Sequence, residues 1–91
     1  MAFVLTRINV DDYDAWKPLF DQDAPGARRA AKGYRIFRNT EDPGEVFVLV
    51  EFESANEAKT ARERLVASAV LDRFQDKTGP TVVEVAEAVG S

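Results

Sequence analysis

The chain has 91 residues, with 12 Lys and Arg against 16 Asp and Glu for a net charge of −4, and it contains neither cysteine nor histidine. A chain this short builds one small core under a large surface, so a single domain over residues 1–91 is expected, with oligomerisation a natural way to bury more. Without Cys or His there is no disulfide, no thiolate nucleophile and neither the commonest metal ligand nor the commonest general base, so no cofactor and no metal are expected, while the acidic balance opposes nucleic acid and anionic membrane as partners.

Residues 3–9 form a short β-rich run that ends at Asp11 and Asp12, a pair suited to the start of a helix by capping and by the helix dipole. Tyr13, Trp16 and Phe20 then recur at the spacing of one buried helical stripe. Pro18 interrupts that stripe and is expected to kink or shorten the helix, and the "APG" of 24–26 is expected to end it. "ARRAAK", leading to Gly33, is expected to add a turn or two of helix. A second strand over 34–39 and a third over 46–53 flank the turn cluster "TEDPGE", the pattern of a hairpin. Ser54 and Glu57 make an S-x-x-E capping box that opens a second helix running to about Ser68, with Ala58, Ala61 and Leu65 as its inward stripe. Val70, Leu71 and Phe74 suggest a short extra helix before Gly79-Pro80, and "TVVEVAEAV" reads as the last strand. The order β-α-β-β-α-β is that of the ferredoxin-like α+β arrangement, an antiparallel four-stranded sheet with two helices. The N-terminal residues lack the basic and apolar regions of a leader, and no apolar run is long enough to span a bilayer, so a cytoplasmic protein is expected.

Alternation divides the strands between two faces. Val4, Thr6, Ile8, Ile36, Val46, Val48, Val50, Phe52, Val83 and Val85 make an aliphatic face for the helices. The opposite face carries Phe3, Leu5, Arg7, Asn9, Arg35, Phe37, Phe47, Leu49, Glu51, Val82 and Glu84, and no third helix exists to cover it. An uncovered apolar patch of that kind marks an interaction site.

RNA-recognition motifs use such a face, and "VFVLVEFESANEAKTARERL" resembles their third strand and second helix. Laid on the RNP1 pattern, however, the basic position falls on Glu45, the glycine on Val46 and a stacking aromatic on Leu49. A carboxylate would meet phosphate and an aliphatic chain would replace a stacking ring, so RNA binding is not expected.

"FVLTRINVDDYDAWKPLFDQ", the "FRNTEDPGEVFVLVEFES" hairpin, the capped second helix and the segment 70–74 together resemble the dimeric α+β barrel superfamily. Within it the chain is similar to small antibiotic-biosynthesis-monooxygenase-like proteins. The resemblance implies a homodimer whose sheets pack face to face through Phe3, Leu5, Phe37, Phe47 and Leu49. It also implies pockets for a small aromatic or polyketide-like molecule and, as one activity, cofactor-independent oxygenation. A non-catalytic ligand-binding or accessory protein of the same fold is the alternative. Haem-degrading relatives bind iron through a histidine that this chain lacks.

For cofactor-free oxygenation the resemblance points to Asn, Trp, Tyr or Arg, and Asn9 and Trp16 are the catalytic candidates; a strand-end cap and a core anchor are their plainer roles. Arg7, Trp16, Tyr34 and Arg35 are the candidate ligand-binding residues, a guanidinium offering a planar bidentate donor to a carboxylate or phenolate. The plainer role for Arg7, Arg35, Glu51 and Glu84 is a charge network within a dimer interface. Asp11, Asp12 and Asp14 lack the glycine and distant Glu of a calcium loop and read as helix caps. Arg28, Arg29 and Lys32 read as a solvated basic face.

Overall fold

The computed structural model of the protein describes residues 1–23 and 26–90. The elements are β1 (Ala2–Asn9), α1 (Tyr13–Gln22), β2 (Gly33–Arg38), β3 (Glu45–Phe52), α2 (Ala55–Ala67), the 3-10 turn η1 (Val70–Arg73) and β4 (Lys77–Glu84). The strands form one antiparallel sheet in the order β2-β3-β1-β4, the ferredoxin-like topology.

Local chemistry explains the boundaries. The Asp12 carboxylate accepts the backbone N–H of Asp14 at 3.0 Å, which starts α1. The helix continues through Pro18 to Gln22, so the expected early stop does not occur; Asp23 ends it in the left-handed region at φ 47°. The expected breaker at 24–26 includes Ala24 and Pro25, which lie outside the described residues. Residues 27–30 form turns rather than the additional helix expected for "ARRAAK". Asp23 organises them, its carboxylate accepting the backbone N–H groups of Ala27 and Arg28 at 3.1 Å each. Ser54 caps α2, its hydroxyl accepting the N–H of Glu57 at 3.2 Å. At the β2–β3 hairpin Gly44 is needed for close approach, since a Cβ there would lie 2.8 Å from the Val10 carbonyl oxygen.

Strand β4 departs from expectation in extent and in phase. It begins at Lys77, four residues before "TVVEVAEAV", and ends at Glu84, leaving Val85 beyond the strand and 60 % exposed. Val82 pairs with Val4 and Val83 with Phe3, so Val82 packs on the core side and Val83 belongs to the opposite face, the reverse of the expected phase. Two adjacent valines carry no alternation signal, which is why the phase could not be read. A bulge between Leu5 and Arg7 shifts the register. Gly79 sits there at φ +90°, 2.6 Å from the Leu5 carbonyl oxygen measured to an added Cβ, a position that favours glycine.

The core lies between the sheet and the helices. Val4, Ile8, Val46, Val48, Val50 and Phe52 are buried with Ala58 and Ala61 of α2. Alanines let α2 lie close to the strands, and it packs on β1, β3 and β4. No comparable backbone approach is made by α1. It reaches the core through Tyr13, Trp16 and Phe20, and its bulky stripe holds its axis away from the sheet.

Candidate ligand-binding site

The difference in stand-off between the helices opens a cleft of about 160 Å³ on the helix side of the sheet. Its floor is the sheet itself, through Val4, Thr6, Ile8, Val48, Val50 and Phe52. Trp16, Leu19 and Phe20 of α1 form one wall; Ala61 and Leu65 of α2, with Leu71 and Phe74, form the other. The surface is mainly aliphatic and aromatic with few polar groups, the usual make-up of a small-molecule site. Thr6 is the buried polar residue of the floor at 6 % exposure. Among the described residues every sealed side-chain polar atom has a partner.

An aromatic series runs along the α1 wall. Tyr13 and Trp16 have centroids 5.6 Å apart, Trp16 and Phe20 5.1 Å, and Phe20 meets the Tyr34 ring edge-on at 5.1 Å. Such tilted and edge-to-face contacts suit the ring quadrupoles and fix ring orientation. Two guanidinium groups extend the series: Arg28 lies over the Phe20 ring, 3.7 Å from its centroid, and Arg38 over Tyr13 at 4.5 Å. Arg28 also donates to the Phe20 carbonyl oxygen at the end of α1, where a cation complements the helix dipole. It is therefore held in place and not simply part of a solvated basic face. Arg28 and Arg73 both line the cleft.

Of the residues singled out in the sequence, Trp16 lines the cleft. Tyr34 stands beside it, 46 % exposed and in contact with Phe20. Arg7, Asn9 and Arg35 pair with Phe47, Glu45 and Leu49 on the other face of the sheet, so the structure does not bring them together with Trp16. Each guanidinium nitrogen of Arg7 is engaged: Nε donates to Glu45 Oε2 at 2.6 Å and the two terminal nitrogens to Asp76 at 2.8 and 3.3 Å. Asn39 holds the second Glu45 oxygen at 2.9 Å. The Arg7 pKa is raised, by Asp76 first and then Glu45. Correspondingly, Asn39 and then Arg7 lower that of Glu45, and Arg7 lowers that of Asp76. This clamp replaces the expected Arg7, Arg35, Glu51 and Glu84 network; among the described residues the last three form no ion pair. Thr6, Leu19, Arg28 and Arg73 are among the cleft residues that sequence reasoning missed as such. Thr6 had a legible signal, a hydroxyl on an otherwise aliphatic strand face; Arg28 had none, since its place depends on the turn that brings it back onto Phe20.

The sheet order β2-β3-β1-β4 with both helices on one face is the ferredoxin-like α+β fold, and solved structures share it. A Deinococcus radiodurans protein, given as a candidate antibiotic biosynthesis monooxygenase, is similar to this chain with a TM-score of 0.69, 15 % identity, and coverage of 100 % of this chain and 98 % of its own. A protein from Mycobacterium tuberculosis has a TM-score of 0.67 at 16 % identity over 98 % of each chain. A third solved structure, an antibiotic biosynthesis monooxygenase, has a TM-score of 0.61 at 20 % identity over 99 % of this chain and 100 % of its own. At these identities the likeness establishes the fold. No family model matches the sequence, and no curated protein does. No helix among the described residues is long and apolar enough to cross a membrane.

Proposed function

We propose that the protein is a homodimeric α+β barrel that binds a small aromatic molecule in the helix-side cleft. The observation that carries the ligand is the cleft itself, an aromatic wall facing an aliphatic floor with one hydroxyl, Thr6, set into it. At about 160 Å³ it is close to the roughly 150 Å³ of an apolar protein cavity that takes up benzene. A one- or two-ring compound therefore suits it better than an extended polyketide. The partner on the other face is a second copy. That face presents Phe37 at 47 % exposure and Leu5 at 37 % beside Phe3, Phe47 and Leu49. It also carries charges of both signs, so a twofold axis can set one copy's basic groups against the other's acidic ones.

Cofactor-independent oxygenation is a second reading, favoured by Trp16 in the cleft wall and by the oxygenase names of two structural neighbours. Asp23, the carboxylate on the cleft lining, is committed to two backbone N–H groups. Binding is thus better supported than proton abstraction.

Titration of the labelled protein with nitrobenzene tests the binding site. Chemical-shift changes should centre on the indole N–H of Trp16 and on Val48, Val50 and Leu71, and Leu65→Trp, which fills the space, should abolish them. Changes centred on Phe37 and Leu49 instead would contradict the assignment. Oxygen uptake with a dihydroxynaphthalene, measured against the spontaneous rate and with Trp16→Phe, tests the oxygenase reading.

A further inference from the structure

We infer that the cleft selects anionic aromatic compounds, an aryl carboxylate or phenolate, and that Arg28 and Arg73 are its specificity-determining residues. The inference rests on the cleft being the ligand site, and it assigns the polar end of the ligand.

Three charged side chains line the cleft: Asp23, Arg28 and Arg73. The local balance is cationic, and the one carboxylate does not pair with either guanidinium. Asp23 turns its two carboxylate oxygens to the backbone, one accepting from Ala27 and the other from Arg28, each at 3.1 Å. Both oxygens are thereby engaged by the turn that follows α1 and are turned away from the guanidinium groups as ion-pair partners. Neither guanidinium has a carboxylate within ion-pair distance among the described residues. In a protein with a net charge of −4, two guanidinium groups on the lining of this cleft, without a carboxylate partner among the described residues, form a local exception to the overall field.

Arg28 is also pre-oriented. Its guanidinium lies over Phe20, 3.7 Å from the ring centroid, is 5.5 Å from the Tyr34 ring centroid and donates to the Phe20 carbonyl oxygen. That single bond leaves most of its five N–H donors uncommitted. A guanidinium held by stacking and by one hydrogen bond loses little freedom when it takes a bidentate oxyanion. Arg73 lies on η1, with its guanidinium over the Phe74 ring at 6.0 Å from the centroid, and lines the cleft with it. An aromatic ring inserted between the Trp16–Phe20 wall and the sheet can therefore keep its anionic group at the rim, in contact with solvent and cation together. The dry floor takes the ring. This arrangement avoids burying a charge, which a fully enclosed anionic ligand would require.

The test uses the intact protein and two probes of nearly the same shape, benzoate and uncharged nitrobenzene, followed by the Trp16 indole signal. Benzoate should bind about tenfold more tightly, the worth of one charge-assisted contact of about 1.4 kcal/mol. Arg28→Met should remove most of that preference, Arg73→Met part of it, and both should leave nitrobenzene affinity within about twofold, because methionine keeps the apolar stem. Lys59→Gln, which removes a positive charge from the exposed surface of α2, should change neither. Equal affinity for the two probes, or a benzoate preference unchanged in both arginine variants, would overturn the inference while leaving the cleft assignment intact. Failure of nitrobenzene itself to perturb cleft residues would remove the cleft assignment on which it stands. Far-ultraviolet circular dichroism of the variants, together with their retained nitrobenzene binding, separates loss of charge from loss of fold.

Discussion

The two faces of the sheet are built from the same four strands and hold apolar side chains of similar kind, yet one is closed and the other open. On the helix side Val46 is 0 %, Phe52 1 % and Val48 6 % exposed, whereas across the sheet Phe37 is 47 % and Leu5 37 % exposed. Alternation alone produces both faces, and only the helices distinguish them. The helix side is itself divided by residue size: alanines of α2 close one half, and aromatic residues of α1 hold the other apart and leave the cleft. On the proposed function, a single sheet carries a ligand site on one face and an assembly surface on the other.

If this contrast is right, truncation should cost most on the closed face. Phe52→Ala should lower folding stability by about 3–5 kcal/mol through lost burial and an unfilled cavity, read by denaturant unfolding. Phe37→Ala, on the open face, should cost the isolated protomer far less and act mainly on association. A near-equal loss of protomer stability in both would erase the distinction. Removing the cap of α2 with Ser54→Ala should cost about 1 kcal/mol in the same assay, because the hydroxyl satisfies a single end-of-helix N–H.

The smallest effect concerns the clamp at one end of the open face. Glu45 and Asp76 have lowered pKa values when folded, so they release protons more readily there than in the unfolded chain. Their contribution is fully present above the ordinary carboxylate range of about 4 and is lost as pH falls through the lower folded values. Glu45→Gln should flatten the acid limb of the stability profile by lowering stability slightly at neutral pH, where the carboxylate contributes, and leaving it little changed at acid pH, where that contribution is already lost. An acid limb identical to that of the unaltered protein would show that the clamp does not couple to folding.

Much of the fold was legible because it rests on local signals. Asp12 and Ser54 are caps, "TEDPGE" is a turn, and in "EVFVLVEF" Glu45 and Glu51 share one face and so phase β3. β4 was not, since the Val82-Val83 pair has no phase and its bulge depends on contact with β1. Of the two effects expected of Pro18, shortening does not occur, because the helix keeps its other hydrogen bonds and continues past one missing donor to Gln22. Trp16 was legible as a pocket-wall candidate from its place on an aromatic stripe. Arg28 was not, because its role comes from folding the turn of residues 27–30 back onto Phe20, a tertiary contact that composition near Arg29 and Lys32 does not encode.

The account depends most on the open face being covered by a second copy. Light scattering of the unaltered protein at micromolar concentration, side by side with Leu49→Arg, addresses that directly. Leu49 pairs with Leu5 on one side and Arg35 on the other in the middle of that face, and a guanidinium there would enter the apolar layer between copies without a partner. The account predicts a dimer for the unaltered chain and a folded monomer for Leu49→Arg. A monomeric unaltered chain, or a Leu49→Arg variant that remains fully dimeric, would contradict it.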